Sequence, residues 1–550
     1  MSVIRKNFCK STISFAKFAT SIKLILMKNL ILVLFMALCF AVQAQTIQVS
    51  GPQAGEWDAD TVLVTGDVLV MESLQVHPGT TVLFDGFYNI TIGKGASFEA
   101  QGTKEDSVVF TVADTTGFYI YNSGKGGWNG FHLDRTGHFL LDYCVLEYGK
   151  AADTLDRFGG ALNINRTQDV EISNTTFRWN FSREQGGALY GVDSKVTMMD
   201  CCLYENLVYT LDNTFAMYGG AAQFLKCDVE MTGMEFRSNY GPSCIGGALS
   251  LDSCSLVLDR GVFTENIGLN GGGMYLMRSF EKECRMSNLL FDDNFSGHFA
   301  GGFAISDGAP EISNILVTNN ESEGVACCGI FFYQESSPIL RNCIIYGNYP
   351  SPDDFQTDTT QMWVWTFEGY GPEFHNCLVE GGLKYVHSPE YITAFEHIID
   401  ADPMFMDAEH HDFRLQEGSP CRDAGATDTP QYVLDGLDLG KMPRVSNQRV
   451  DIGPFEYSGA GLIKHRPVSY ARLEGNPLNA DSRVVFNDGV KGAVKVSVYD
   501  MTGRCDTSKT YHVDGTQVVA IGNLVESLNA GVYLIEVNSN LGNCTLKAVK

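Results

Sequence analysis

The sequence is short of basic residues. Its 550 residues include 39 Lys and Arg against 65 Asp and Glu, which gives a formal net charge of -26 at pH 7 and a pI near 4.7. A chain with this charge repels phosphate backbones and anionic lipid surfaces. Neither a nucleic acid nor an anionic membrane is therefore expected as the main partner.

Proline and closely spaced cysteine pairs are also scarce. Only 16 residues are proline, whereas 57 are glycine and 44% are hydrophobic, a composition that suits many short strands and argues against disorder. No Cys-x-x-Cys pair occurs, which excludes the usual zinc-ribbon and thioredoxin-like motifs. The cysteines of the body are predicted to be buried thiols, with one or two disulfides as the alternative in an exported protein.

An apolar run near the N-terminus predicts a secretory signal peptide. From Met27 the chain has a basic Lys28, an apolar core from Leu30 to Phe40 and small residues ending at Ala44. This order is typical of a signal peptide, and the core is short for a membrane span. Residues 1–44 are therefore assigned to an upstream extension and a cleaved signal peptide, with an uncleaved anchor as the alternative. The mature protein is expected to be secreted or held at the cell surface.

An apolar residue stands three positions before an asparagine at regular intervals. Successive asparagines are 26, 33, 27, 28, 26 and 28 residues apart. A polar residue that returns at one point of a repeat predicts a corner, where its side chain bonds backbone groups and stacks on its equivalents. The series consists of Asn180, Asn206, Asn239, Asn266, Asn294, Asn320 and Asn348.

A glycine pair followed by alternating apolar and polar residues keeps step with the asparagines. The alternation has the period of a β-strand, and no helical periodicity separates the copies. Short strands of this kind bury a core only when coils stack and pair in parallel. The glycines suit corners with positive φ. The pairs begin at Gly159, Gly186, Gly219, Gly246, Gly271 and Gly301, and a degenerate copy begins at Cys328.

These repeats resemble the right-handed parallel β-helix, or pectin-lyase-like, superfamily over roughly residues 60–400. The resemblance lies in the repeat pattern, so it implies a fold more than an activity. The predicted fold is all-β: a right-handed parallel β-helix solenoid over residues 45–400, with an N-terminal cap, followed by a small C-terminal β-sandwich.

Residues 401–457 differ from the repeats. The phrases DPMFMDAEHHDFRLQEGSPCRDAGA and VDIGPFEY resemble the closing segment that follows many bacterial surface β-helices. Its aspartates are expected to make turns. Asp435, Asp438 and Asp451 are the alternative candidates for a calcium site, because clustered carboxylates suit a hard cation. No other cofactor is expected.

A second domain is predicted after a linker over residues 458–467. Residues 468–550 alternate apolar and polar positions in short runs, which predicts an Ig-like β-sandwich. The phrases EGNPLNA, VSVYDMTGR and LNAGVYLIEV resemble the C-terminal sorting domain of type IX secretion substrates in Bacteroidetes. The resemblance implies passage through the outer membrane by the type IX machinery and, in many members, attachment at the surface. A carbohydrate-binding or spacer sandwich is the alternative.

The strands that follow the glycine pairs predict an outward-facing wall. Aromatic faces and amides suit sugar rings, so the wall is predicted to bind a polysaccharide or cell-surface glycan lengthwise, with ordinary solvent-exposed strand surface as the alternative. Trp363 and Trp365 are further candidate sugar platforms, or else cover the side of the stack. One column of the wall is Asn163, Tyr190, Gln223, Ser250, Tyr275 and Phe332, and its neighbour is Asn165, Val192, Leu225, Asp252, Met277 and Gln334.

Asp252 and Asp307 are the candidate catalytic residues. Two coils apart, they would lie about 9–10 Å from one another, at the edge of the range for an inverting glycoside hydrolase. A lyase would need a base and cations to neutralise a uronate, which the columns do not clearly supply. The sequence favours a glycan-binding or adhesive protein without catalysis. A polysaccharide lyase or glycoside hydrolase and a purely structural stalk are the alternatives.

Overall fold

The chain divides into two compact units, residues 1–459 and 460–550. In the first unit the computed structural model describes residues 45–458 except 153–156, 210–216, 324–326, 351–360, 435 and 446–448. In the second it describes 471–474, 478, 482–486, 491–500, 505–514, 518–526, 528, 532–539 and 542–549. The predicted signal peptide, most of the linker and Asp435 lie outside these ranges. Within them, no helix is long and apolar enough to cross a membrane.

The first unit is a parallel β-helix built from three ladders of parallel strands, here called sheets 1, 2 and 3. Thr46–Trp57 pairs in parallel with Thr61–Val76, which in turn pairs with the first strand of every sheet. Three long strands bend from sheet 2 into sheet 3 at Gly233, Arg260 and Asn288, each with positive φ. The prediction of a parallel solenoid is confirmed.

Sheet 1 holds the strands that follow the glycine pairs. Its members are Ile90–Ile92, Phe131–Asp134, Leu162–Asn165, Leu189–Val192, Ala222–Leu225, Leu249–Asp252, Met274–Met277, Phe303–Ser306, Ile330–Gln334, Met362–Thr366 and Val386–His387. Sheet 2 comprises Ser97–Gln101, His138–Asp142, Val170–Ser173, Lys195–Met199, Glu311–Ser313, Ile339–Arg341, Glu373–His375 and Ala394–Glu396.

Sheet 3 precedes the asparagines. It comprises Thr81–Phe84, Val108–Val112, Cys144–Glu147, Thr176–Arg178, Cys202–Tyr204, Leu316–Thr318, Ile344–Ile345 and Leu378–Val379. The strands shared by sheets 2 and 3 are Asp228–Arg237, Ser255–Thr264 and Cys284–Asp292. Short ladders after the asparagines are Lys150–Ala151, Phe181–Ser182 and Leu207–Val208, and then Met217–Tyr218, Cys244–Ile245, Ile267–Asn270, Phe295–Phe299, Glu321–Ser322 and Tyr349–Pro350.

The core is made of apolar side chains stacked coil upon coil. Alternate residues of each strand point inward because successive side chains of a strand lie on opposite faces. Phe236, Phe263 and Phe291 show this, with ring centroids 4.7 Å apart at both steps. This distance matches the spacing of neighbouring strands, so the rings can stack without interrupting the backbone pairing.

The predicted asparagine corner is confirmed as a continuous hydrogen-bonded ladder. From Asn180 to Asn348 each side-chain nitrogen donates to the next asparagine's Oδ1 at 2.9–3.0 Å. The ladder begins with the Gly149 backbone N–H, which donates to Asn180 Oδ1. It ends through Asn348 and Gln361 on the carboxylate of Glu380. Each asparagine is buried, so the ladder satisfies polar groups that water does not reach.

The cysteines replace hydroxyl residues in similar ladders. At one corner the Thr136 N–H donates to Thr167 Oγ1 and the Thr167 N–H to Ser194 Oγ, and two coils later the Cys227 N–H donates to Cys254 Sγ at 3.3 Å. Twelve cysteines between Cys144 and Cys421 carry thiols, and eleven of them are buried. Burial raises the pKa of Cys284 to about 11, so such thiols are poor nucleophiles. The prediction of buried thiols is confirmed for these residues.

The segment 401–457, called the closing segment, runs back along the side of the stack. Asparagine side chains at the corner between sheets 2 and 3 hold its backbone. Asn376 donates to the Ala424 carbonyl, Asn314 to those of Asp451 and Gly453, and Asn288 to that of Leu437. Its apolar residues cover an outer column of sheet 3, formed by Leu290, Leu316, Ile344 and Leu378.

The closing segment contains Phe405–Asp407 paired antiparallel with Asp412–Leu415, the 3-10 helix Ala408–His410 and the α-helix Gln431–Leu434. Two further 3-10 helices, Gly382–Tyr385 and Pro389–Tyr391, precede it.

A buried arginine organises the closing segment. Arg444 is fully buried, lies 3.0 Å from Glu456 Oε1 and donates to Asn288 Oδ1 in the stack. The carboxylates of Asp438 and Asp451 accept backbone N–H groups on either side of it. The carboxylates of these two calcium candidates are therefore committed to backbone N–H groups and are close enough to Arg444 to feel its charge. Among the residues described, no cluster of three or more His, Cys, Asp or Glu is placed to hold a metal ion.

A histidine of the closing segment forms a hydrogen bond with a carboxylate of the stack. His411 Nδ1 lies 2.6 Å from the buried carboxylate of Asp292, and this hydrogen bond raises the pKa of His411 above its usual 6.5, helped by the charges of Asp293 and Glu265. A raised folded-state pKa contributes stability that is complete below pH 6.5 and is lost as pH rises through the higher value. We expect the melting temperature to fall over this range and the fall to be smaller in His411→Gln.

The control for this experiment is His410→Gln. His410 is exposed and pairs with Asp407 of its own segment, so its loss should leave the pH profile unchanged. Identical profiles for the native chain and His411→Gln, measured by thermal melting from pH 5.5 to 8.5, would contradict the assignment.

The second unit contains two antiparallel sheets. One is formed by Ala471–Glu474, Arg483–Phe486 and Val518–Ala520, and the other by Lys491–Asp500, Cys505–Asp514, Val532–Ser539 and Gly542–Val549. An α-helix spans Gly522–Val525. Buried residues of both sheets, such as Val484 and Val496, belong to one hydrophobic cluster. The predicted sandwich and its role in sorting stay predictions.

Candidate functional site

The outer face of sheet 1 follows the predicted columns as far as Tyr275 and Met277. Strand register places the side chains of the first column in line across successive coils, and those of the second column two residues further along each strand. Beyond this point the register differs from the prediction. The first column continues with Ala304, Phe331, Trp363 and His387, and the second with Ser306, Tyr333 and Trp365.

The placement of Phe332 on the outer wall was wrong. Phe332 is fully buried in the core, and its neighbour Phe331 occupies the column. The prediction aligned Gly301 and Cys328 with the first glycine of the earlier pairs, but Phe303 pairs with Met274 and Ile330 with Phe303, which places Ala300 and Cys327 at that position instead. Ala300 adopts the positive φ of 55° that a glycine supplies elsewhere. The frame therefore slips by one residue, which moves Gln334 from the second column into the corner that follows.

The middle of the first column is covered. Gln223, Ser250 and Tyr275 are at most 8% exposed, and Tyr275 packs with Ala304 and Phe331. Gln223 Oε1 and Ser250 Oγ lack a hydrogen-bond partner. Asn163 and Tyr190 are half-buried, with Tyr190 stacked on Phe158. The predicted wall is therefore not an open surface along its whole length.

Open aromatic surface lies at the end of the columns nearer the C-terminus. Trp363 and Trp365 stack with centroids 5.4 Å apart and planes 10° from parallel, and Tyr333 meets Trp365 edge to face. Trp365 is 49% exposed, Phe367 52% and Phe280 47%. We call these residues the aromatic rim: Phe280, Tyr333, Trp363, Trp365, Phe367 and Tyr370.

Polar groups occupy the corner beside the rim. Residues at this corner take positive φ in successive coils, with values of 51° at Arg278, 54° at Asp307 and 56° at Gln334. The backbone links the corner to the rim, because the Phe367 N–H donates to the Gln334 carbonyl and the Ser279 N–H to the Asp307 carbonyl. Sugar-binding sites need this combination of flat apolar faces and fixed polar groups.

Asp252 is paired with an arginine. Arg278 donates through Nε to Asp252 Oδ1 at 2.7 Å and through Nη2 to the other oxygen. The Asp252 side chain is 7% exposed, whereas that of Arg278 is 60% exposed. A bidentate guanidinium stabilises the charged form of a carboxylate and occupies both of its oxygens. Asp252 is therefore poorly placed to act as an acid or a nucleophile.

Asp307 does not share a column with Asp252. Two coils beyond Asp252 the register reaches Ser306, and Asp307 lies in the corner, level with Arg278. Its Oδ2 accepts from Ser306 Oγ at 2.9 Å and from the Gln334 amide nitrogen at 2.8 Å. The predicted pair of facing carboxylates is wrong, again because the frame slips at Ala300.

Sequence reasoning missed Phe280, Phe367 and Tyr370. They lie just beyond the strands of sheet 1, where period two no longer indicates which way a side chain points. Phe280 and Tyr370 contact each other across two loops, with centroids 5.9 Å apart. The available signal was the concentration of aromatic residues immediately after the strands Met274–Met277 and Met362–Thr366.

Comparison with known proteins agrees with this architecture. The family model described as "Right handed beta helix region" matches residues 107–385, which is 279 of the 550 residues. Comparison with curated proteins gives no match. Since the matched region covers more than half of the sequence and coincides with the stacked coils, the chain belongs to the right-handed β-helix family.

Proposed function

We propose that this protein is an exported surface protein that binds a glycan chain at the aromatic rim without cleaving it. The observation that carries the proposal is the rim itself. Trp365, Phe367 and Phe280 present about half of their surface to solvent beside an ordered polar corner. Large apolar side chains in such a group are usually covered by a ligand or a partner.

Binding explains both parts of the site. The apolar faces of sugar rings pack on aromatic side chains, and the stacked pair Trp363 and Trp365 offers a flat area wider than one ring. Ser306, Asp307 and Gln334 are fixed by hydrogen bonds to one another, so they need little ordering to meet a sugar hydroxyl.

The state of the carboxylates favours binding over hydrolysis or elimination. A glycoside hydrolase needs one carboxyl with a raised pKa as an acid and a second group facing it. Asp252 has both of its carboxylate oxygens bonded by Arg278, and Asp307 sits outside its column. The same pairing withdraws Arg278 from the neutralisation of a uronate, which a lyase would require.

The location of the protein at the cell surface is also a proposal. The signal-like segment before residue 45 and the sorting-domain resemblance of residues 468–550 support export through the type IX machinery to the outer surface. Protease shaving of intact cells, with and without residues 468–550, tests this location.

A glycan-array screen of the purified protein tests the function, with every hit then incubated and examined for new ends. Binding without products supports the proposal. Unsaturated ends would make the protein a lyase and new reducing ends a hydrolase, and either result would overturn the non-catalytic assignment. A protein that bound no glycan would leave the structural stalk as the better description.

Replacing Trp365 with alanine is expected to weaken glycan binding by about 10- to 100-fold, as for the loss of an interface anchor. Because Trp365 is half-exposed, the urea midpoint should hardly change. Tyr240→Ala is the control, since Tyr240 is 44% exposed and lies outside the rim. Equal affinity of the Trp365→Ala and native proteins in titration calorimetry would remove the rim from the site.

A further inference from the structure

Resting on the proposed function, we infer that the glycan held at the aromatic rim is neutral or amine-bearing and is not a polyanion such as a polyuronate or sulfated chain. The sign of charge that the site accepts depends on three things: the charged groups that stand beside the rim, the pairing of those groups, and the charge that the aromatic rings attract.

The unpaired charges beside the rim are negative. Asp307 lies in the corner, the Glu335 backbone N–H donates to its Oδ1, and Glu335 is itself exposed and bonded to the Tyr370 hydroxyl. The Glu335 charge raises the pKa of Tyr370. Glu368 is exposed between Phe367 and Tyr370 along the chain. An anionic sugar at the rim would meet these carboxylates at close range.

The cations near the rim are either paired with a carboxylate or offset by neighbouring carboxylates. Arg278 gives two donors to Asp252, and withdrawing them would leave a carboxylate that is 7% exposed without its partner. Breaking a desolvated pair in this way is costly, so an anionic ligand gains little from Arg278. In the same loop, Lys282 is exposed beside Glu281, and Glu283 pairs with Arg285, so the two cations and the two carboxylates offset one another. The other basic side chain that contacts the rim is His387, which meets Trp363 edge to face.

The rings reinforce this preference. The face of an aromatic ring carries negative potential and attracts a cation, most strongly in tryptophan. Trp365 presents such a face next to Tyr333, in the strand column beside the corner that holds Asp307. Acceptors and π-faces select hydroxyl and ammonium groups and disfavour carboxylate and sulfate.

Three hexasaccharides of similar size test the inference: β-1,4-glucosamine, β-1,4-N-acetylglucosamine and α-1,4-galacturonate, titrated at pH 5.5. We expect the amine-bearing hexamer to bind about fivefold more tightly than the acetylated one, the upper range for an exposed ion pair. The galacturonate hexamer should not bind. Raising the salt concentration should reduce the amine preference, since exposed charges are screened.

Asp307→Asn and Glu335→Gln test whether the preference is local. The double variant should bring the affinities for the two glucosamine-based hexamers to within about twofold of each other. Asp193→Asn is the matched control, because Asp193 occupies the same positive-φ corner four coils earlier, away from the rim. Trp365→Ala should abolish the preference, which separates it from attraction to the net charge of the whole protein.

The outcomes distinguish this inference from the proposed function. Galacturonate binding as tight as that of the neutral hexamer would overturn the charge preference and leave the glycan-binding proposal standing. An amine preference that survives in the double variant would overturn the assignment to Asp307 and Glu335. A protein that binds no member of the glycan array would overturn both proposals together.

Discussion

Replacing Asn266 with alanine is expected to lower the free energy of unfolding by about 3–5 kcal/mol, because several buried polar groups lose their partners at once. In the native ladder Asn266 Oδ1 accepts from the N–H and the side chain of Asn239, and Asn266 Nδ2 donates to the Phe236 carbonyl and to Asn294. An alanine at this position satisfies none of these atoms. Urea unfolding followed by circular dichroism measures the loss.

Asn165→Ala provides the control for the ladder variant. Asn165 lies at the half-exposed end of a sheet 1 strand, where its Oδ1 accepts only an exposed Arg166 donor. Its replacement should change stability by no more than about 0.5 kcal/mol. A loss below about 1 kcal/mol in Asn266→Ala would mean that water or backbone movement replaces the ladder bonds, and the ladder would then not be a main source of stability.

Replacing Arg444 with alanine is expected to cost about 3–5 kcal/mol and to detach the closing segment from the stack. The variant leaves the buried Glu456 without its counter-charge and Asn288 without a donor. Burial already raises the pKa of Glu456, and removing Arg444 would raise it further. Hydrogen exchange should accelerate in residues 436–457 and in the strand Leu316–Thr318 beneath them.

Lys441→Ala is the control for the closing segment. Its ion pair with Asp200 joins the same segment to the same stack, but its side chain is 67% exposed. An exposed pair contributes about 0–1 kcal/mol, so exchange beneath the segment should stay slow. If Arg444→Ala melted like the native chain, the segment would be held by its apolar contacts with sheet 3 rather than by the buried pair.

The repeat pattern predicted the fold because every coil carries the same physical constraint. Asn180 and its equivalents recur at one corner, and stacking requires that each coil match its neighbours. The repeat in the sequence therefore corresponds directly to the regular stacking of the coils. The buried thiols were predicted because free cysteine packs like a small hydrophobic residue, and the structure places Cys227 and Cys254 where earlier coils have threonine or serine.

The site was less predictable because it lies where repetition fails. Ala300 and Cys327 stand where earlier coils have their first glycine, so a register counted from Gly301 and Cys328 is wrong by one residue and exchanges Phe331 with Phe332. In a strand, such a shift moves every side chain to the opposite face. Phe280 and Tyr370 belong to loops of irregular length, and no period relates them. Their contact depends on the tertiary structure alone.

The path of the closing segment along the stack could not be predicted from the sequence either. Its resemblance to known closing segments implied where the repeats end, but not that Lys441 would meet Asp200, a residue 241 positions earlier. Contacts of this separation arise only once the stack exists to receive them. The asparagines that hold the segment, such as Asn314 and Asn376, look in the sequence like ordinary turn residues.

The course of this segment has a mechanical consequence. A pull on the chain beyond residue 457 reaches the closing segment before it reaches any coil, and the segment is bonded to coils as far apart as those of Asn288 and Asn376. Tension is then shared among several coils instead of peeling the last one from its neighbour. Force applied through a tether at the C-terminus would therefore be distributed over several coils of the stack.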